Sequence, residues 1–67
     1  MEDKKYMLLL TIYKKIFKDD KDIIPNEWYN VKEYNLKIKI LKDCIDNKIL
    51  ITNSKYYYDF RLIALNS

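Results

Sequence analysis

Residues 30–65, NVKEYNLKIKILKDCIDNKILITNSKYYYDFRLIAL, carry the reading on which the fold turns. Asn30-Val31-Lys32-Glu33 has the form of a capping box, an N-cap side chain followed three positions later by a Glu able to reach back to the cap amide. One helix is expected from Val31 to about Asp46. Val31, Tyr34, Ile38, Leu41 and Ile45 repeat there at alternating spacings of three and four, with Ile40 and Cys44 widening the stripe on one side. A break at Tyr34-Asn35, with Asn35 capping a shorter helix, is the alternative. Asn47-Lys48 reads as the stop, because Asn tolerates the left-handed conformation usually given to Gly. Beyond it, Tyr56, Tyr58, Phe60, Leu62 and Ala64 alternate with Tyr57, Asp59 and Arg61, the period of a strand. Ile49 to Thr52 would pair with that strand in antiparallel fashion across an Asn53-Ser54-Lys55 turn. Ile63 and Leu65 break the polar face near its end.

Upstream, a first helix is expected from about Asp3 to Lys18, with Asp3 as N-cap. Tyr6, Leu9, Ile12, Tyr13 and Ile16 share one face of it, flanked by Leu10 and Phe17. Lys4, Thr11, Lys14, Lys15 and Lys18 lie on the other. Asp19-Asp20-Lys21-Asp22 is a polar connection, and Ile23-Ile24 is long enough only for a strand stub. Pro25 pushes Ile24 towards an extended conformation. Asn26-Glu27-Trp28-Tyr29 then reads as a short helical turn anchored by Trp28.

The chain has 67 residues, so one domain spanning 1–67 with a small core is expected. Seven Tyr, two Phe and one Trp supply large buried areas without staples, and the absence of Gly leaves turns to Asn, Asp and Ser. Cys44 is the single cysteine, which excludes an internal disulfide. No apolar run reaches the roughly 20 residues that span a bilayer, so no membrane partner and a cytoplasmic location are expected.

Catalytic chemistry is thinly represented. Histidine and Gly are absent, which removes the usual general base and any phosphate-cradling loop. Ser54 and Ser67 lack an activating partner, and Cys44 sits on the apolar side of its helix as a small core residue. The Asp19, Asp20, Asp22 spacing lacks the central Gly and terminal Glu of a calcium loop. No enzyme, no cofactor and no metal site are expected.

A binding surface remains. The net charge of +3 is uneven: residues 1–18 and 35–67 each balance at +3, and residues 19–34 at −3. Lys32, Asn35, Lys39 and Lys42 line the polar side of the long helix, where lysines can neutralise phosphates and Asn35 can read adenine. Lys55, at the turn, would add a backbone contact. Asp43 and Asp46 would repel a duplex at the helix end. Tyr57, predicted to point outward between Lys55 and Asp59, suits a protein partner, whereas Tyr56 and Tyr58 read as core.

The order of helix, stub with short helix, long helix and hairpin resembles the winged helix-turn-helix superfamily. More narrowly, it resembles the small YjcQ-like proteins of Firmicute chromosomes and prophages. The likeness rests on Tyr6-x-x-Leu9-x-x-Ile12, on the Leu41-Lys42 to Asn47 helix end followed by Ile49-Leu50-Ile51, and on the aromatic second strand. It implies an α+β, winged-helix-like fold and a small DNA-binding regulator, from a phage or other mobile element, reading with helix 31–46. Specific binding by so small an interface would call for a homodimer. The other reading is a protein-binding module, such as a phage-type inhibitor, that does not touch DNA.

Overall fold

The computed structural model describes residues 3–66; Ser67, one of the two serines considered above, lies outside them. Three α-helices and two short 3-10 turns make up the regular structure, and no strand occurs among the described residues. The helices are α1 (Lys4–Ile16), α2 (Tyr34–Asn47) and α3 (Tyr57–Leu65); the 3-10 turns are Asn26–Asn30 and Ile51–Asn53. The expected α+β fold with a C-terminal hairpin is therefore corrected to an all-helical one, and helix 31–46 and the Ile49–Thr52 strand go with it.

α1 begins where its cap puts it and ends at Ile16, two residues before the expected Lys18, with Leu10 rather than Ile12 and Ile16 in the core. The Asp3 carboxylate accepts from the Lys5 amide at 2.8 Å and the Tyr6 amide at 3.4 Å, satisfying two of the free N–H groups of the first turn. Tyr6, Leu10 and Tyr13 are buried at spacings of four and three, with Leu9 and Phe17 packed beside them. Lys14 and Lys15 occupy the last turn, at the negative end of the helix dipole.

α2 begins three residues later than the capping-box reading requires, close to the alternative break at Tyr34-Asn35. Asn30 instead closes the 3-10 turn, and Val31 is buried in an extended conformation (φ −97°, ψ 129°). Burying this β-branched side chain from an extended backbone uses the residues that would have formed the first helical turn. Glu33 takes the N-cap position without making a side-chain cap. At the other end it is Lys48, not Asn47, that turns left-handed (φ 56°, ψ 49°). The Ile49 amide reaches back to the Cys44 carbonyl at 3.1 Å, closing the helix. Asn47 donates instead to the Asp43 carbonyl and carboxylate. A side chain with a Cβ is strained in this conformation, so Lys48→Gly is expected to stabilise the fold by about 0.5–1 kcal/mol, read as a rise of a few degrees in the thermal midpoint.

The segment read as a hairpin folds differently because two periods coexist in it. Tyr57, Phe60 and Ala64 lie three and four apart, so a helix gathers them on one face, and that face packs against the core. Ser54 Oγ accepts from the Tyr56 amide at 3.2 Å and donates to Asp43 at 2.9 Å, which sets the chain direction into α3. The helix places Phe60 5.1 Å from the Trp28 ring.

The core is a chain of rings that links the three helices and the 3-10 turn Asn26–Asn30. Tyr34, Tyr6, Trp28, Phe60 and Tyr57 follow one another with centroid separations between 5.1 and 6.4 Å. Trp28 is fully buried, as its place in a short turn suggested, and its indole N–H donates to Tyr6 Oη at 2.9 Å. Tyr13 Oη donates to the Ile23 carbonyl at 2.6 Å and accepts from the Ile51 amide at 3.1 Å, tying both irregular connections to α1. Ile23 and Ile24 pack on this core without forming a strand.

Candidate functional site

The polar side of α2 survives the change of fold. Asn35, Lys39 and Lys42 remain exposed on the face away from Ile40, Leu41 and Cys44. Lys39 and Lys42 meet Lys55, which approaches from the connection into α3, around an open cleft of about 300 Å³. Lys5 of α1 stands beside Lys42 closely enough that its ammonium lowers the Lys42 pKa. Four of these basic side chains thus gather on one side of the molecule, but Asp43 and Asp46 line the same cleft. The Ser54 hydroxyl, with Asn47, holds the Asp43 carboxyl below the usual carboxylate range. Lys32 does not join this group. It lies on the extended approach to α2 and borders a different pocket.

Tyr57 does not point outward. Its ring stacks on Phe60 and its hydroxyl donates to the Glu27 carboxylate, linking α3 to the 3-10 turn. Burial and the facing Glu27 push the Tyr57 hydroxyl up to about 12, and the same bond lowers the Glu27 pKa. The outward position belongs to Tyr58, which is 71 % exposed, and the core reading of Tyr58 is corrected accordingly. Tyr56 is half-buried against the core, with Lys55 Nζ 5.3 Å from its ring.

Two features escaped the pattern reading. The first is the outer face of α3, where Tyr58, Leu62 and Leu65 stand in line at i, i+4 and i+7, opposite Phe60. Leu62 is 43 % and Leu65 74 % exposed, so this nine-residue helix is apolar on both sides. Its signal in the sequence was the break in alternation at Ile63 and Leu65.

The second is Lys37, which is only 2 % exposed. Its ammonium lies 5.2–5.4 Å from the ring centres of Trp28, Tyr6 and Tyr34, an aromatic cage built by three separate elements. Burial lowers its pKa and Lys32 lowers it further, while no carboxylate acts in the other direction. Lys37 falls in phase with Ile40 and Cys44, the residues that widened the helix stripe, and that phase was its sequence signal. Because no anionic side chain among the described residues partners this charge, Lys37→Met is expected to fold with stability equal to or about 1 kcal/mol above the parent. Urea unfolding measures this, and a fall in the midpoint would show the cage to be a net stabilising element.

Cys44 is fully buried, and burial pushes its thiol up to about 12, which leaves it unreactive at neutral pH. No helix among the described residues is long and apolar enough to cross a membrane. Compared with known proteins, the chain matches no family model, no curated protein and no solved structure.

Proposed function

We propose that this chain is a protein-binding module that presents the outer face of α3 to a partner. The observation that carries this reading is the exposed Tyr58, Leu62, Leu65 line on a helix whose opposite side is already satisfied by the core. Isolated apolar residues on a surface need no explanation, but three in register along one short helix form a continuous apolar ridge. The ridge is about 11 Å long at 1.5 Å per residue. Two copies packed ridge to ridge would bury far less than the roughly 800 Å² per partner of a stable interface. A narrow ridge with anchors at i, i+4 and i+7 fits the apolar groove of another protein, the helix-in-groove mode of recognition. Asp59 and Arg61, exposed on either side, supply a polar rim.

The test places a photo-cross-linking residue at position 58 in cells that express the chain, with position 21 as control. A polypeptide captured at 58 and not at 21 is then purified and titrated against the parent and against Leu62→Lys/Leu65→Lys. Binding that the double variant loses, with its helical content unchanged, is the expected result. Identical adducts at both positions would overturn the assignment. A dimer in sedimentation equilibrium that the double variant abolishes would give the face to a second copy instead.

A second reading is favoured by one observation, the gathering of Lys5, Lys39, Lys42 and Lys55 on one side. Like charges held this close are relieved by an anion, and a duplex backbone supplies a row of them. On this reading the chain contacts DNA through the outer face of α2, with Asn35 beside the lysines. Duplex DNA titrated at low salt would be retained by the parent and lost by Lys39→Glu/Lys42→Glu, with a linear dependence of log affinity on log salt. No retention at any salt excludes it.

A further inference from the structure

A second pocket, of about 240 Å³, opens between α1, the 3-10 turn Asn26–Asn30 and the first turn of α2. Its lining combines three lysines, Lys14, Lys32 and Lys37, with three tyrosines, Tyr6, Tyr29 and Tyr34, and includes no acidic side chain among the described residues. This sets it apart from the Lys39 cleft, where Asp43 and Asp46 offset the charge.

We propose that this pocket binds a nucleotide unit, its phosphate among Lys14, Lys32 and Lys37 and its base against the Tyr29 ring. Three arguments carry the assignment. Lys37 is buried to within 2 % and borders the pocket, so a desolvated cation is held at its wall where an anion gains most from it. The pocket also lies beside the start of α2, where Glu33 holds the N-cap position but does not cap the first-turn amides that carry the positive end of the helix dipole. Finally, Tyr29 is 54 % exposed at the rim, although it follows the fully buried Trp28 directly. An exposed ring next to converging lysines is the arrangement that stacks a base while its phosphate is neutralised. Inorganic phosphate alone would leave the tyrosine walls unused.

A nucleotide unit has two sources, free nucleotides and single-stranded nucleic acid. The test titrates the full chain at low ionic strength with ADP, with oligothymidylate and with inorganic phosphate, following the Tyr29 and Lys37 resonances by NMR. ADP or oligothymidylate is expected to shift both resonances and to bind more tightly than phosphate. The tighter of the two, per site, identifies the source.

Lys14→Glu/Lys32→Glu changes exposed residues only, so its helical content stays that of the parent while affinity falls about tenfold or more. Tyr29→Ala weakens ADP and leaves phosphate unchanged, and Lys39→Glu/Lys42→Glu leaves both unchanged. Absence of any shift at millimolar ADP and oligothymidylate overturns the proposal. So does full binding by Lys14→Glu/Lys32→Glu, or equal competition by a polyglutamate peptide.

Discussion

Trp28→Ala is expected to unfold this protein at physiological temperature. The indole is fully buried, lies 5.1 Å from Phe60 and 6.4 Å from Tyr6, and forms one wall of the Lys37 cage. Removing a large aromatic side chain from a core costs about 3–5 kcal/mol, the sum of lost transfer energy and the cavity left behind. A domain of this length holds only about 3–10 kcal/mol in total at typical per-residue stabilities. Trp28 also joins α3 and the 3-10 turn to α1, so its loss parts the ring chain in the middle. Far-ultraviolet circular dichroism should show most of the helical signal gone in Trp28→Ala. Trp28→Phe, which keeps a ring but loses the N–H donated to Tyr6 Oη, should remain folded with a lower urea midpoint. A Trp28→Ala variant as stable as the parent would mean that α3 is not docked through this ring.

Tyr13→Phe isolates a different contribution, since it removes one oxygen and almost no volume. That oxygen donates to the Ile23 carbonyl and accepts from the Ile51 amide, in connections that have no strand or long helix to satisfy them. The Ile51 contact is buried, and leaving a buried backbone group without a partner costs about 1–3 kcal/mol. With the Ile23 carbonyl also released, a total of about 2–4 kcal/mol is expected from urea unfolding. Hydrogen exchange offers a sharper reading. The Ile51 amide should lose protection in Tyr13→Phe even under conditions where the α1 amides keep theirs. Tyr57→Phe, at a half-buried contact with the Glu27 carboxylate, should cost less.

The two kinds of site residue were legible to different degrees. The outer face of α2 was readable because helix periodicity fixes which side chains share a side once the core stripe is known. Asn35, Lys39 and Lys42 stayed exposed although the helix starts at Tyr34. Lys37 was not readable as a buried residue, because charge places a lysine at the surface unless other elements bring apolar or aromatic walls to it. Those walls, Tyr6 and Trp28, come from elsewhere in the chain. Tyr57 and Tyr58 exchanged roles for a purely geometric reason. A strand alternates its faces with every residue, and a helix does not.

The amino-acid sequence by itself determined α1 with its Asp3 cap, the burial of Trp28 and Cys44, a short helical turn over Asn26 to Tyr29, and the exposure of Asn35, Lys39 and Lys42 on α2. Each of these follows from local chemistry or from the helical period, although the buried stripe of α2 runs through Lys37, Ile40, Leu41 and Cys44 and leaves Tyr34, Ile38 and Ile45 half-buried. The conformation of residues 57–65 was decided only in the tertiary structure. The pattern of Tyr56 to Leu65 satisfies a strand through Tyr56, Tyr58, Phe60, Leu62 and Ala64, and a helix through Tyr57, Phe60 and Ala64. Local propensity cannot choose between them. The choice falls to what the rest of the chain offers to cover, and here Trp28 presents a ring that Phe60 meets from a helix. The same choice turned Tyr58, Leu62 and Leu65 out into solvent and created the ridge on which the proposed function rests.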